Sequence, residues 1–65
     1  MYEFRKDVIN VFNQAAIARE VGITNETINR IFNRKQKCSK RTAYCICKVI
    51  NKNAEIEDYF ERKGG

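Results

Sequence analysis

Asn25, Glu26, Asn29 and Arg30 bring four planar hydrogen-bonding groups into one short segment, NETINRIFN at residues 25–33. Each has a different donor and acceptor pattern. Arg30 can donate two parallel hydrogen bonds to the O6 and N7 atoms of guanine. Asn25 can bond N6 and N7 of adenine, and Glu26 can accept from N4 of cytosine. A good bidentate pair of this kind discriminates between bases by about 1–3 kcal/mol. Asn29 and Thr27 can touch a phosphate or a thymine methyl group. Other roles exist for the same residues: an acid in the first turn of a helix, such as Glu26, stabilises it through the dipole with no partner at all, and Arg30 can serve as a phosphate contact or a solvated charge.

Two short helices are needed to position these groups. Ile17, Ala18 and Val21 share one face of a helix over residues 14–21, and Ile28, Ile31 and Phe32 share one face of a helix over 25–33. Gly22 sits just past the first, where a left-handed residue ends a helix at least cost. Thr24 offers an N-cap oxygen to the second. Ala18 is small enough to let the second helix approach closely. The spacing describes a helix-turn-helix. With its apolar side against the first helix, the second must expose Asn25, Glu26 and Arg30.

This pattern resembles the lambda-repressor-like superfamily of DNA-binding proteins, which includes the phage Cro and repressor (XRE) group and the lactose-repressor group. Gln14, Ile17-Ala18, Val21-Gly22-Ile23 and Thr27-Ile28-Asn29-Arg30-Ile31-Phe32-Asn33 match the family pattern in order and without gaps. The second helix also looks like the T-V-S-R-V-L-N run of lactose-repressor relatives, and Ser39-Lys40-Arg41-Thr42 resembles the start of their next helix. The resemblance implies a major-groove reader of double-stranded DNA, with bases read from the positions of Asn25, Glu26 and Arg30. It also implies a phosphate contact at Asn33 and dimer contacts from elements after the recognition helix. Lactose-repressor relatives begin at the motif and continue into a hinge and a sugar-binding domain, whereas a helix is expected ahead of the motif here. That favours the Cro and phage-repressor group. The segment Glu61-Arg62-Lys63-Gly64-Gly65 reads equally as a natural end or as the start of a linker.

Charge supports a polyanionic partner. The net charge is +5, and it is unevenly placed. The bases Arg30, Arg34, Lys35, Lys37, Lys40, Arg41, Lys48 and Lys52 follow one another with no acid among them, and the acids Glu55, Glu57, Asp58 and Glu61 come next. Phosphate contacts are expected from Gln14 at a helix start, from Thr24 and Thr27, and from Asn33, Arg34, Lys35, Lys37, Ser39 and Lys40. Solubility is the competing role for any one of the surface cations. If about six phosphates are neutralised per half-site, log K falls with log salt at a slope of about −5.

The remaining elements are expected to be helical. A first helix over about 2–12 would carry Phe4, Val8, Val11 and Phe12 as one stripe. Asn13 can cap the helix at Gln14. A basic loop spans 34–38, and Ser39 caps a fourth helix at about 40–51 with Ala43, Ile46, Cys47 and Ile50 on its inner face. A fifth helix at about 54–61 carries Ile56, Tyr59 and Phe60. These three close the core or form a homodimer contact, Tyr59 being the better suited to an interface through its wet hydroxyl. The expected fold class is all-α, a compact bundle of four to five short helices in a single domain over 1–65.

Several classes are excluded or disfavoured. A chain of 65 residues is too short to enclose a deep substrate cavity as well as a core. His is absent and no phosphate-binding Gly loop is present, so no enzyme activity and no cofactor are expected. Cys45 and Cys47 would lie about 200° apart on a helix and cannot share a metal ion. Three cysteines cannot all pair within one chain, and reduced thiols are expected. No apolar run approaches a membrane span and Met1-Tyr2-Glu3-Phe4 is unlike a secretory signal, which points to the cytoplasm. The expected partner is a pseudo-palindromic DNA operator bound by a homodimer, with no small-molecule ligand. The alternative is a protein-interaction module, an antitoxin or adaptor, on the same fold.

Overall fold

Three short polar side chains decide where the main helices begin. Asn13 accepts a hydrogen bond from the Ala16 N–H at 3.1 Å, Thr24 from Thr27 N–H at 3.1 Å and Ser39 from Thr42 N–H at 3.2 Å. Each satisfies a backbone donor that the first turn cannot pair. In the computed structural model, which describes residues 1–8 and 11–64, these caps open α1 (Gln14–Val21), α2 (Asn25–Phe32) and α3 (Lys40–Ile50). A single-turn helix α4 (Ile56–Tyr59) follows, and two strands, β1 (Tyr2–Phe4) and β2 (Phe60–Arg62), complete the order β1-α1-α2-α3-α4-β2.

Gly22 ends α1 with φ 91°. A Cβ there would meet nothing within 4 Å, so the backbone angle alone demands glycine. Its N–H and that of Ile23 both donate to the Ala18 carbonyl, at 2.8 and 3.0 Å, and the chain turns directly into Thr24. Ala18, 1% exposed, lies under this turn and lets α1 and α2 pack closely. Ile28, Ile31 and Phe32 of α2 and Ala43, Ile46 and Cys47 of α3 enter the same core.

The fold is not all-α, and the difference lies at the two ends of the chain. Tyr2–Phe4 forms a strand where a helix over 2–12 was expected. It pairs antiparallel with Phe60–Arg62, setting Tyr2 opposite Arg62, Glu3 opposite Glu61 and Phe4 opposite Phe60. Tyr2 and Cys38 exchange backbone hydrogen bonds of 2.7 and 2.9 Å across the other edge of β1. The spacing of Phe4, Val8 and Phe12 satisfies a helical stripe, but Tyr2 and Phe4 alternate equally well on a strand, and aromatic residues favour extended backbone. Tertiary contact decides between the two. Phe4 is 0% exposed, with ring centroids 4.7 Å from Phe32 and 5.5 Å from Phe60. Val11, which a helix would have buried with it, is 78% exposed. Ile9 and Asn10, also within that expected helix, lie outside the described residues.

After β1 the chain is pinned by Arg5. Its guanidinium donates twice to Asp7, at 3.0 and 2.6 Å, and once to the Glu57 carbonyl at 2.6 Å. That hydrogen bonding holds the Asp7 carboxyl below its ordinary range. The expected fifth helix at 54–61 contracts to α4. Asp58 accepts from the Glu55 N–H at 2.9 Å to start the turn, and Phe60 leaves it for the strand that faces Phe4. Lys48 closes α3 by donating to the carbonyls of Lys52 and Ala54. Among the described residues no helix is long and apolar enough to cross a membrane.

Candidate nucleic-acid interface

α2 divides cleanly. Ile28, Ile31 and Phe32 are at most 1% exposed, whereas Asn25, Glu26, Asn29 and Asn33 lie open on the other side with Arg30 half-buried beside them. The four groups picked out by type and spacing therefore share one outward face, at the end of the molecule where α1 also begins.

They do not act as four independent groups. Arg30 donates through Nη2 to Glu26 Oε1 at 3.0 Å, one helical turn away. The Nε atom of Arg30 is buried and finds no partner. Asn33 donates to the Asn29 side-chain oxygen at 3.1 Å, and Asn29 donates in turn to Gln14 Oε1 at 3.2 Å. Three amides thus form a ladder from the end of α2 to the start of α1. Asn29 is committed to this bridge rather than freely presented, while the Nε2 donors of Gln14 take no part in it. Asn25 has its whole side chain on the open face.

Hydroxyls are similarly sorted. Thr24 donates to the Thr27 hydroxyl oxygen at 2.9 Å, and Ser39 donates to that of Thr42 at 3.1 Å. The protons of Thr24 and Ser39 are used inside the caps. Those of Thr27 and Thr42 remain available to an outside acceptor. Thr42 was not among the expected contacts. Its signal is the repeated pattern of a capping hydroxyl followed three residues later by Thr, seen at Thr24–Thr27 and again at Ser39–Thr42.

Beyond α2 the chain makes a left-handed turn. Arg34 N–H donates to the Ile31 carbonyl and Lys35 N–H to that of Arg30, at 3.1 and 2.9 Å. This is the Schellman arrangement, and it places Arg34 at φ 60°, a position that glycine usually fills. Arg34, Lys35 and Lys37 are exposed and line a shallow groove with Met1, Glu3 and Gln36. A neighbouring groove is lined by Met1, Tyr2, Ser39, Lys40 and Arg62. Arg62 shares this groove with Lys40 only because β2 returns alongside β1, a pairing invisible in local sequence. Among the described residues, ion pairs join Arg5 to Asp7, Arg30 to Glu26 and Lys63 to Glu61. Arg34, Lys35, Lys37 and Lys40 form no ion pair with a described acid, although Glu3 lines the same groove as Arg34, Lys35 and Lys37.

Of the three residues considered for a dimer contact, Ile56 and Phe60 are core, 7% and 1% exposed, because α4 and β2 turn them against α3 and Phe4. They close the core, one of the two roles open to them from the sequence. Tyr59 is half-buried, its ring centroid 6.0 Å from that of Phe12. Larger apolar exposure lies on α3, at Tyr44 and Val49.

No described group of His, Cys, Asp and Glu has the arrangement to hold a metal ion. The cysteines are free thiols. Burial pushes Cys38 up to about 11 and Cys47 to about 12, and Cys45 is half-exposed. Compared with known proteins, the chain matches no family model, no curated protein and no solved structure.

Proposed function

We propose that the chain is a sequence-specific regulator that binds double-stranded DNA, a repressor of phage or mobile-element type, with α1, Gly22 and α2 acting as a helix-turn-helix of lambda-repressor-like kind. The observation that carries this reading is the two-sided character of α2. One side is locked into the core by Ile28, Ile31 and Phe32, and the other presents Asn25, Glu26 and Arg30 on a rigid, capped helix. A helix about 10–12 Å across with its side chains fits the major groove, about 12 Å wide.

The flanks support the same reading. The N-terminus of α1 offers unpaired backbone N–H groups and the Gln14 amide to a phosphate. Arg34, Lys35, Lys37 and Lys40 continue the positive surface beyond the far end of α2. A single module of this size covers about half of a typical operator, so binding as a homodimer on a pseudo-palindrome belongs to the proposal. Tyr59 is the member of the original three with surface left for such a contact.

The test is selection of bound duplexes from a random pool at about 100 mM salt, where counterion release still leaves contrast between sites. Recovery of two short, inversely repeated half-sites is the expected result. Enrichment of no motif, with weak binding that disappears as salt rises, would reduce the surface to non-specific electrostatics and favour an interaction module instead.

A further inference from the structure

Resting on that reading, we propose that Glu26 is a positioning residue which fixes Arg30 as a rigid donor fork for one guanine, and so sets specificity without reading a base of its own. The geometry departs from the independent roles that residue type alone suggests. Glu26 Oε1 accepts from Arg30 Nη2 at 3.0 Å, on the exposed face of one helical turn. The Nε atom of the same guanidinium is buried and without an acceptor. A buried N–H without a partner is uncommon, and here it leaves the pair with Glu26 as the hydrogen bond that anchors the guanidinium within the chain. With Nε buried and one Nη2 hydrogen engaged by Glu26, three N–H donors of the guanidinium stay uncommitted, two on Nη1 and one on Nη2. One N–H from each of the two terminal nitrogens forms a parallel, coplanar pair, the pattern that guanine O6 and N7 accept.

The carboxylate adds a second effect through its charge. Glu26 is 80% exposed at the side-chain level and lies on the face that would approach the groove. A phosphate brought near it is repelled, whereas a guanine edge meets only the outward donors of Arg30. Arg30 is also the one base between α2 and the start of α3 with an acidic partner among the described residues. Glu26 therefore lowers affinity for DNA in general and raises it for the duplex that carries guanine in register.

The test uses the full chain and duplexes recovered by selection, comparing wild type, E26Q, R30A and the double variant for binding to the selected duplex, to versions changed at single base pairs, and to unrelated DNA. Expected for E26Q is about a tenfold loss on the selected duplex, part of the roughly 5- to 150-fold that a whole bidentate fork provides. Binding to unrelated DNA should stay equal or rise about twofold. The relaxed preference should fall at the base pair that R30A also relaxes, and E26Q should add nothing in the R30A background. Thermal melting of E26Q within a few degrees of wild type excludes general unfolding as the cause. An unchanged ratio between selected and unrelated DNA overturns the proposal. So does relaxation at a cytosine that R30A leaves untouched, which would make Glu26 a base reader. Failure of the wild type to select any duplex overturns the DNA-binding reading together with this inference; selection by the wild type with the first pattern absent overturns this inference alone.

Discussion

The Asn29 side-chain amide donates to Gln14 Oε1 across 3.2 Å, joining the outward face of α2 to the first residue of α1. Because Asn33 donates into Asn29 in turn, the amides point one way, and the ladder leaves the Nε2 donors of Gln14 uncommitted. That orientation suits a phosphate, which can only accept.

Replacing Asn29 by Ala separates positioning from stability. Two exposed hydrogen bonds are lost, each worth about 0.5–1.5 kcal/mol at most and less in water. Alanine returns about 0.6 kcal/mol of helix propensity. Stability measured by urea unfolding should therefore change by no more than about 1 kcal/mol. Affinity should nevertheless fall several-fold on all duplexes alike, because the freed Gln14 amide no longer arrives oriented. Unaltered affinity would leave the ladder as a link between helices and nothing more.

Arg34→Gly should uncouple stability from binding in the opposite direction. At φ 60° a residue with a Cβ is strained by about 1–2 kcal/mol, while glycine costs about 0.4–1 kcal/mol through the entropy of the unfolded chain. The variant should gain about 0.5–1 kcal/mol in urea unfolding and melt a few degrees higher. Its DNA affinity should fall, with a salt slope shallower by about 0.9 if Arg34 neutralises one phosphate. Higher stability with an unaltered slope would remove Arg34 from the contact surface and leave the choice of arginine there unexplained.

These two sites also illustrate what could be seen in the sequence. The caps at Asn13, Thr24 and Ser39 and the stop at Gly22 act within three or four residues, so residue type and spacing suffice to find them. The split of α2 into a buried and an open face follows from a period of 3.6 in the same way. The Glu26–Arg30 pair has the i, i+4 spacing of a helix ion pair, but the burial of the Arg30 Nε atom beside it depends on packing. The ends of the chain are different again. Phe4 adopts strand geometry because Phe60 lies opposite it, and Arg62 shares a groove with Lys40 because β2 returns there. No local window contains both members of either pair.

Phe4 gives a direct test of that long-range pairing. It is fully buried among Phe12, Phe32 and Phe60. Truncating such a residue to alanine costs about 3–5 kcal/mol, against a total of about 3–10 kcal/mol for a chain of this length. Phe4→Ala should be largely unfolded by circular dichroism at 37 °C, and Phe4→Leu folded but weakened. A Phe4→Ala protein with wild-type melting would mean that β1 is not part of the core.

The buried thiols predict how stability falls in alkali. Cys47 is 0% and Cys38 5% exposed, and burial raises their pKa from an ordinary 9.0 to about 12 and about 11. Between those limits the unfolded chain has released the thiol protons while the folded chain retains them, so the folded state binds more protons and loses stability as pH rises. Below about pH 9 this contribution is fully present. From there upward each thiol removes about 1.4 kcal/mol per pH unit until its folded pKa is reached. Urea midpoints at pH 8.0, 9.5 and 10.5 should decline accordingly, and Cys47→Ala, weaker at pH 8, should show a shallower decline by about that amount per unit. At neutral pH a thiol reagent should modify Cys45 rapidly and the other two only after unfolding. Rapid modification of all three in the native protein, or a flat midpoint through pH 10, would place Cys38 and Cys47 in contact with water.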